Sequence, residues 1–186
     1  MHTDQGGTLL AIARRAIGTQ LGEPSPSFDE AEWLNEPGAT FITLTRAGTL
    51  RGCIGSLEAR RPLRDDVECN ARAAAFSDPR FAPLSVKEYR EIEVEVSLLS
   101  PMQPVEFENE THLLSLLRPG VDGVLLEYGW RRGTFLPQVW EQLPEPRMFL
   151  AHLKQKAGLS ADFWAEDVRL SRYAVTKWRE SEFATN

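Results

Sequence analysis

Alternation of apolar and polar residues is strongest over residues 91–99, Glu-Ile-Glu-Val-Glu-Val-Ser-Leu-Leu. As a strand, this run places Ile92, Val94 and Val96 on one face and Glu93, Glu95 and Ser97 on the other. A second alternating run, Ala-Thr-Phe-Ile-Thr-Leu-Thr at residues 39–45, is rich in β-formers, and Arg46-Ala47-Gly48 supplies a turn before Thr49 to Gly55. Residues 39–45 and 49–55 predict a β-hairpin. Helical spacing governs elsewhere. Over residues 8–21, Leu9, Leu10, Ala13, Ile17 and Leu21 form one stripe, with Arg14 and Arg15 on the other side. Glu23-Pro24-Ser25-Pro26-Ser27 then breaks the helix and makes a loop. Pro62 introduces a second helix with Leu63, Val67, Ala71 and Ala74 on its apolar stripe and Arg64, Asp65 and Glu68 elsewhere; Ser77-Asp78-Pro79-Arg80 ends it, and Phe81 follows as an anchor. Residues 85–90 make a short helix, Pro101 to Pro104 a connection, and Asn109 caps a helix running to Leu117.

The second half resembles the first. Residues 123–133, Gly-Val-Leu-Leu-Glu-Tyr-Gly-Trp-Arg-Arg-Gly, read as strand, turn and strand, and Arg132-Gly133-Thr134 stands where the first half has Arg51-Gly52-Cys53. Pro144 to Leu159 gives a helix, Phe163 parallels Phe81, and a terminal strand at Val168 to Trp178 parallels residues 91–99. Phased agreement over four elements predicts pseudo-repeats at about residues 39–104 and 120–180 within a single domain spanning 1–186. The alternative is two unrelated α+β halves of similar period. Hairpin-joined strands favour antiparallel pairing, so the expected class is α+β, with the repeats joined into one sheet by the 109–117 segment.

Composition narrows the class. With 42% hydrophobic and 26% charged residues among 186, the chain has the balance of a globular protein able to bury a core. The opening Met1-His2-Thr3-Asp4-Gln5-Gly6-Gly7 lacks the pattern of an export signal, and no apolar run is long enough for a membrane span, so a cytoplasmic location is expected. Two cysteines, Cys53 and Cys69, do not make a disulfide framework. His2, His112 and His152 are scattered, so no metal site is expected. A net charge of −6 argues against bulk capture of nucleic acid or anionic membrane, although Arg60, Arg61 and Arg64, and Arg131 with Arg132, form local basic clusters. No phosphate loop, dinucleotide fingerprint or Ser/His/Asp order is present, so no cofactor is expected.

The candidate chemistry centres on Leu50-Arg51-Gly52-Cys53-Ile54-Gly55. Arg51 and Cys53 share a strand face, where a guanidinium favours a thiolate, and Gly52 and Gly55 leave backbone open to a ligand. The competing reading is a buried cysteine that packs as a small hydrophobe beside glycines marking a bulge. Asn70 lies near an apolar stripe and either bonds to neighbouring backbone or points toward the cleft. Arg132 and Thr134 are the counterparts of Arg51 and Cys53 in the second half. Phe135 and Trp140 read as core, with Pro137 starting a short helix.

Leu50 to Gly55, the Asn70 to Phe81 stretch continuing through Ala82-Pro83, Thr134-Phe135-Leu136-Pro137-Gln138-Val139-Trp140, and Lys156-Ala157-Gly158-Leu159 together resemble the AMMECR-type family over about residues 8–180. Microbial members form the A component of the AmmeMemoRadiSam set. The resemblance implies an α+β fold with two β/α repeats around a barrel-like sheet, and association with a Memo-like protein and a radical S-adenosylmethionine protein. It maps a candidate site onto Arg51, Gly52, Cys53 and Gly55 without supplying an activity. Three functions follow. The chain is a thiol-dependent enzyme component handling a small substrate at Cys53, a scaffold or adaptor without catalysis, or, on weaker grounds, a nucleic-acid-binding factor using its arginine clusters.

Overall fold

The computed structural model describes residues 2–24 and 26–183. Met1, in the opening run, and Ser25, in the predicted loop, lie outside them. The fold is mixed α+β with antiparallel sheets, and the chain divides into two compact units: residues 1–99 with 176–186, and residues 100–175.

The first unit is built on the predicted hairpin, β2 (Thr40–Arg46) and β3 (Thr49–Gly55). Its turn has φ of 49° at Ala47 and 76° at Gly48, the region in which glycine carries no steric cost. β2 also pairs antiparallel with β5 (Ile92–Leu99), and β10 (Val175–Arg179) completes the sheet in the order β10-β5-β2-β3. A two-stranded ribbon joins β1 (Pro37–Gly38) to β4 (Arg61–Pro62). Helices α1 (His2–Leu21) and α2 (Leu63–Phe76) cover one sheet face, and α3 (Val86–Tyr89) carries a capping box made by Ser85 and Glu88. The core contains Leu9, Ile12 and Ile17 of α1, Ile42 and Leu44 of β2, Val67 and Ala71 of α2, and Val94 and Val96 of β5.

Helix α1 starts well before residue 8 and runs through Gly6, where a Cβ would lie 2.3 Å from the Trp178 ring. Close packing by that ring requires glycine. Arg14, expected on the polar side, is half-buried: it donates to Glu180 at 2.7 Å, the Tyr89 carbonyl at 2.7 Å and the Ile92 carbonyl at 2.9 Å. Pro62 precedes α2 as its N-cap rather than forming its first turn.

The second unit repeats the strand order. β7 (Gly123–Tyr128) and β8 (Arg131–Phe135) form a hairpin, β9 (Arg169–Tyr173) pairs with β7, and β6 (Gln103–Val105) pairs with β9. Helices α4 (Glu110–Leu116) and α5 (Pro146–Lys156) pack Leu113, Phe149, Leu150 and Leu153 against Val124, Leu126 and Leu170. Asn109 caps α4 as expected, accepting from the His112 N–H at 2.9 Å. Trp140, on a 3-10 turn, stacks on Phe149 with ring centroids 3.6 Å apart and donates to the Asp122 carbonyl at 2.7 Å.

Two expectations change. The terminal strand is two strands, β9 and β10, which belong to different sheets. The strands form two open four-stranded sheets and a ribbon among the described residues, in place of one barrel-like sheet. The chain changes sheet at Ser100 and Ala174, which hydrogen-bond to one another. After β5 the chain enters the second sheet as β6, and after β9 it returns to the first as β10.

Candidate functional site

Strand β3 is the edge of its sheet, and pleating gives its two faces different surroundings. Gly52 turns toward α2, where a Cβ would lie 2.2 Å from the Ala74 carbonyl oxygen. Cys53 turns to the other face. It sits opposite Thr43 of β2, and Glu95 of β5 lies opposite Thr43 in turn. Thr43 Oγ1 is 3.4 Å from Cys53 Sγ. Glu95 is held by Arg179 at 2.6 Å.

The outward backbone of Cys53, which an added strand would pair, is instead held by side chains. Its N–H donates to Asp78 Oδ2 at 2.9 Å, and its carbonyl accepts from Arg80 Nη2 at 3.1 Å. Arg80 also donates to both Asp78 oxygens, at 2.9 and 2.7 Å. The Arg80 bond, together with the backbone N–H groups of Cys53 and Arg80, holds the Asp78 carboxyl well below the usual carboxylate range. Asp78-Pro79-Arg80 thus ends α2, as expected, and also closes the edge of β3 at the cysteine.

Arg51 is largely buried, with its side chain 12% exposed. It donates to Glu88 through Nε at 2.8 Å and Nη2 at 3.2 Å, and to the Ala82 carbonyl at 2.9 Å. These bonds, with that from the Ser85 N–H, lower the Glu88 carboxyl to about 2. Arg51 Nη1 is buried and has no hydrogen-bond partner among the described residues. Phe81 takes the Arg51 and Arg80 guanidiniums over its ring, at 5.6 and 5.5 Å from the centroid. The arginine expected to favour the thiolate is therefore engaged with Glu88, while one of its donors is left over.

The glycines serve packing. The space a side chain would fill at Gly52 is occupied by the backbone of α2, and at Gly55 by the Phe41 ring, 2.2 Å from an added Cβ. At both positions the missing side chain lets helix and ring approach the strand closely.

Asn70 belongs to a separate cluster. Its Nδ2 donates to the Thr40 carbonyl of β2 at 3.0 Å and to Asp66 at 2.9 Å. Asp66, fully buried, accepts from the Thr40 N–H at 2.8 Å, Thr40 Oγ1 at 2.7 Å, Ser56 Oγ at 2.7 Å and Arg61 Nε at 2.9 Å. Sequence reasoning missed Asp66. The signal was its position, three residues after Leu63 and one before Val67, which puts it in the stripe that buries α2.

Arg132 and Thr134 lie on β8 of the second unit. Thr134 Oγ1 donates to the Val124 carbonyl at 2.9 Å and lies 2.9 Å from the Tyr173 hydroxyl, which donates to the Phe135 carbonyl at 3.1 Å. Burial pushes Tyr173 up to about 12. Gly133, like Gly52, faces a helix end, with an added Cβ 3.1 Å from that of Ala157. Among the described residues no cluster of His, Cys, Asp and Glu is placed to hold a metal ion, and no helix is long and apolar enough to cross a membrane.

Residues 10–178 match the AMMECR1 family model. A protein of Methanothermobacter thermautotrophicus is 40% identical over 185 residues, covering 97% of this chain and 96% of its own length. A protein of Sulfolobus acidocaldarius is 37% identical, covering 97% of this chain and 83% of its own. The crystal structure of uncharacterized protein PH0010 from Pyrococcus horikoshii superposes with a TM-score of 0.81 at 34% identity, covering 94% of this chain and 90% of that one.

Proposed function

The chain belongs to the AMMECR1 family, and from that premise we propose that it binds a small anionic ligand at the cysteine edge of β3 and acts with a Memo-like and a radical S-adenosylmethionine protein. The observation that carries this reading is the buried, unpartnered Nη1 of Arg51. A buried donor of a charged group is costly when unpaired, and an acceptor oxygen supplied by a ligand would satisfy it. Cys53, two residues along the same strand face, is half-buried and free. Its thiol is the group available to contact or attack the ligand.

A second reading, a binding module without catalysis, has its own observation. The hydrogen-bond neighbour of Sγ is Thr43 Oγ1, and a hydroxyl does not act as a base at neutral pH. The two readings separate with the Cys53→Ser variant. Loss of turnover in a mixture of this chain, the two partner proteins and a metabolite extract, with complex formation retained, supports an enzyme. Retained turnover or a stable complex with no metabolite consumed supports the module.

The anion site itself is tested by alkylation in a Cys69→Ser background, since Cys69 is exposed and would react first. Normalised to a free thiol, iodoacetate should label Cys53 faster than iodoacetamide does, and Arg51→Lys should reduce that preference. Equal normalised rates, or a preference untouched by Arg51→Lys, would overturn the anionic assignment. The nucleic-acid reading predicts affinity falling steeply with salt and lost on replacing Arg60, Arg61 and Arg64.

A further inference from the structure

We propose that the β7–β8 turn docks into an apolar cleft of a second copy of this chain, each copy giving its turn and receiving the other's. Trp130, at the tip of that turn, carries the proposal. It is 86% exposed, although an indole is among the largest apolar surfaces a chain can bury. The ring is also held in place. Gly129, with φ of 57°, makes the two-residue turn that separates Tyr128 from Arg131, and Tyr128 at its base tilts against Phe163 with ring centroids 4.8 Å apart. The Arg131 guanidinium lies over the indole, 5.0 Å from the ring centroid, and donates to the Gly158 carbonyl. One face of the indole is thus backed by a tethered cation, and the rest of it stands in solvent. Tryptophan and arginine together are the pair most enriched where protein contacts concentrate their binding energy.

The receiving cleft lies at the same end of the sheet. Glu127, near the end of β7, stands opposite Arg169 at the start of β9, and Val105 at the end of β6 stands opposite Leu170. The cleft opens there with a volume of about 450 Å³, and Val105, Phe107 and Leu170 supply its apolar wall. Trp164 tilts against Phe107 with ring centroids 5.7 Å apart and fixes the phenyl group, so an entering indole meets a preformed aromatic surface. Glu106 and Glu166 are exposed at the rim. By themselves they select nothing; they matter because Arg131 arrives with the indole and brings the opposite charge. An apolar floor with a polar rim is the anatomy of a protein contact. Turn and cleft lie side by side at one end of the sheet, so a two-fold axis normal to the sheet sets each tip opposite the other copy's cleft and closes the pair. One indole buries only about 150–250 Å², and the reciprocal exchange doubles that, which makes a weak dimer.

This contact uses only residues of the second unit and none around Cys53, so it stands independently of the proposed function. Sedimentation velocity of the full chain over a dilution series should show a monomer–dimer equilibrium with a dissociation constant on the order of 100 µM. Trp130→Ser should weaken it by about tenfold or more with unchanged thermal unfolding, because the side chain it removes is exposed. Reversing both rim charges, Glu106→Lys with Glu166→Lys, should weaken it by about threefold. Cys53→Ser should dimerise as the parent does. Hydrogen exchange at high protein concentration should show added protection at β6 and around Phe107 in the parent and none in Trp130→Ser. A chain that stays monomeric at millimolar concentration, or a dimer of parental affinity in Trp130→Ser, would overturn the proposal. So would added protection confined to the turn, which would mean that two tips pack on each other and that the cleft receives neither.

Discussion

One added carbon at Gly52 would lie 2.2 Å from the Ala74 carbonyl oxygen, a backbone atom that cannot turn aside. Gly52→Ala should therefore lower stability by about 1–3 kcal/mol in urea denaturation. Gly133→Ala, where the contacts are 3.0 Å or longer, should cost less. The glycine was legible as special, but its reason was not, since a glycine that admits a helix and one that admits a ligand look alike in one sequence. The acid response also belongs to single residues. Asp78 and Glu88 both have folded-state values below those of free carboxyls, Glu88 at about 2, so their contribution is present above about pH 4. It is lost as pH falls through the folded values. Stability followed by circular dichroism should decline between about pH 4 and 2, with Asp78→Asn less stable at neutral pH and its acid limb shallower.

At the scale of elements, α2 is tied to the start of β2 and the end of β3 by Asp66 as well as by its apolar stripe. Asp66→Ala strands the buried Thr40 N–H and removes one partner of the Asn70 amide, and should destabilise the chain by about 2–4 kcal/mol in urea titration. Tyr173 acts in the opposite pH range. Its value, raised to about 12, exceeds that of a free tyrosine near 10, so stability should fall as pH rises from about 10 to 12, and Tyr173→Phe should remove that slope. Hairpins, the Asn109 cap and the 91–99 strand were legible because they follow from residues near one another in the chain. The closure of the β3 edge was not, because Asp78 and Arg80 meet Cys53 only when the chain turns back after α2.

For the whole molecule, the exchange of strands at Ser100 and Ala174 makes residues 176–183 part of the first unit. Glu180 accepts from Arg14 and from the Val94 N–H at 2.8 Å, and Trp178 lies in the core of that unit. Removing residues 176–186 should reduce hydrogen-exchange protection of α1 and β5 while β7 and β9 keep theirs. Retained protection of α1 would show that the terminal strand is dispensable. The residue order by itself determined the α+β class, the two hairpins, the helix faces and the strand that carries Cys53, because side-chain periodicity and turn chemistry act over a few residues. Tertiary structure alone decided that two open sheets form rather than one, that Gly52 receives a helix, and that Arg51 is held by Glu88 with one donor left over. Each of these depends on groups more than 20 positions apart in sequence, or on strands from opposite ends of the chain, coming within bonding distance, which local pattern does not encode.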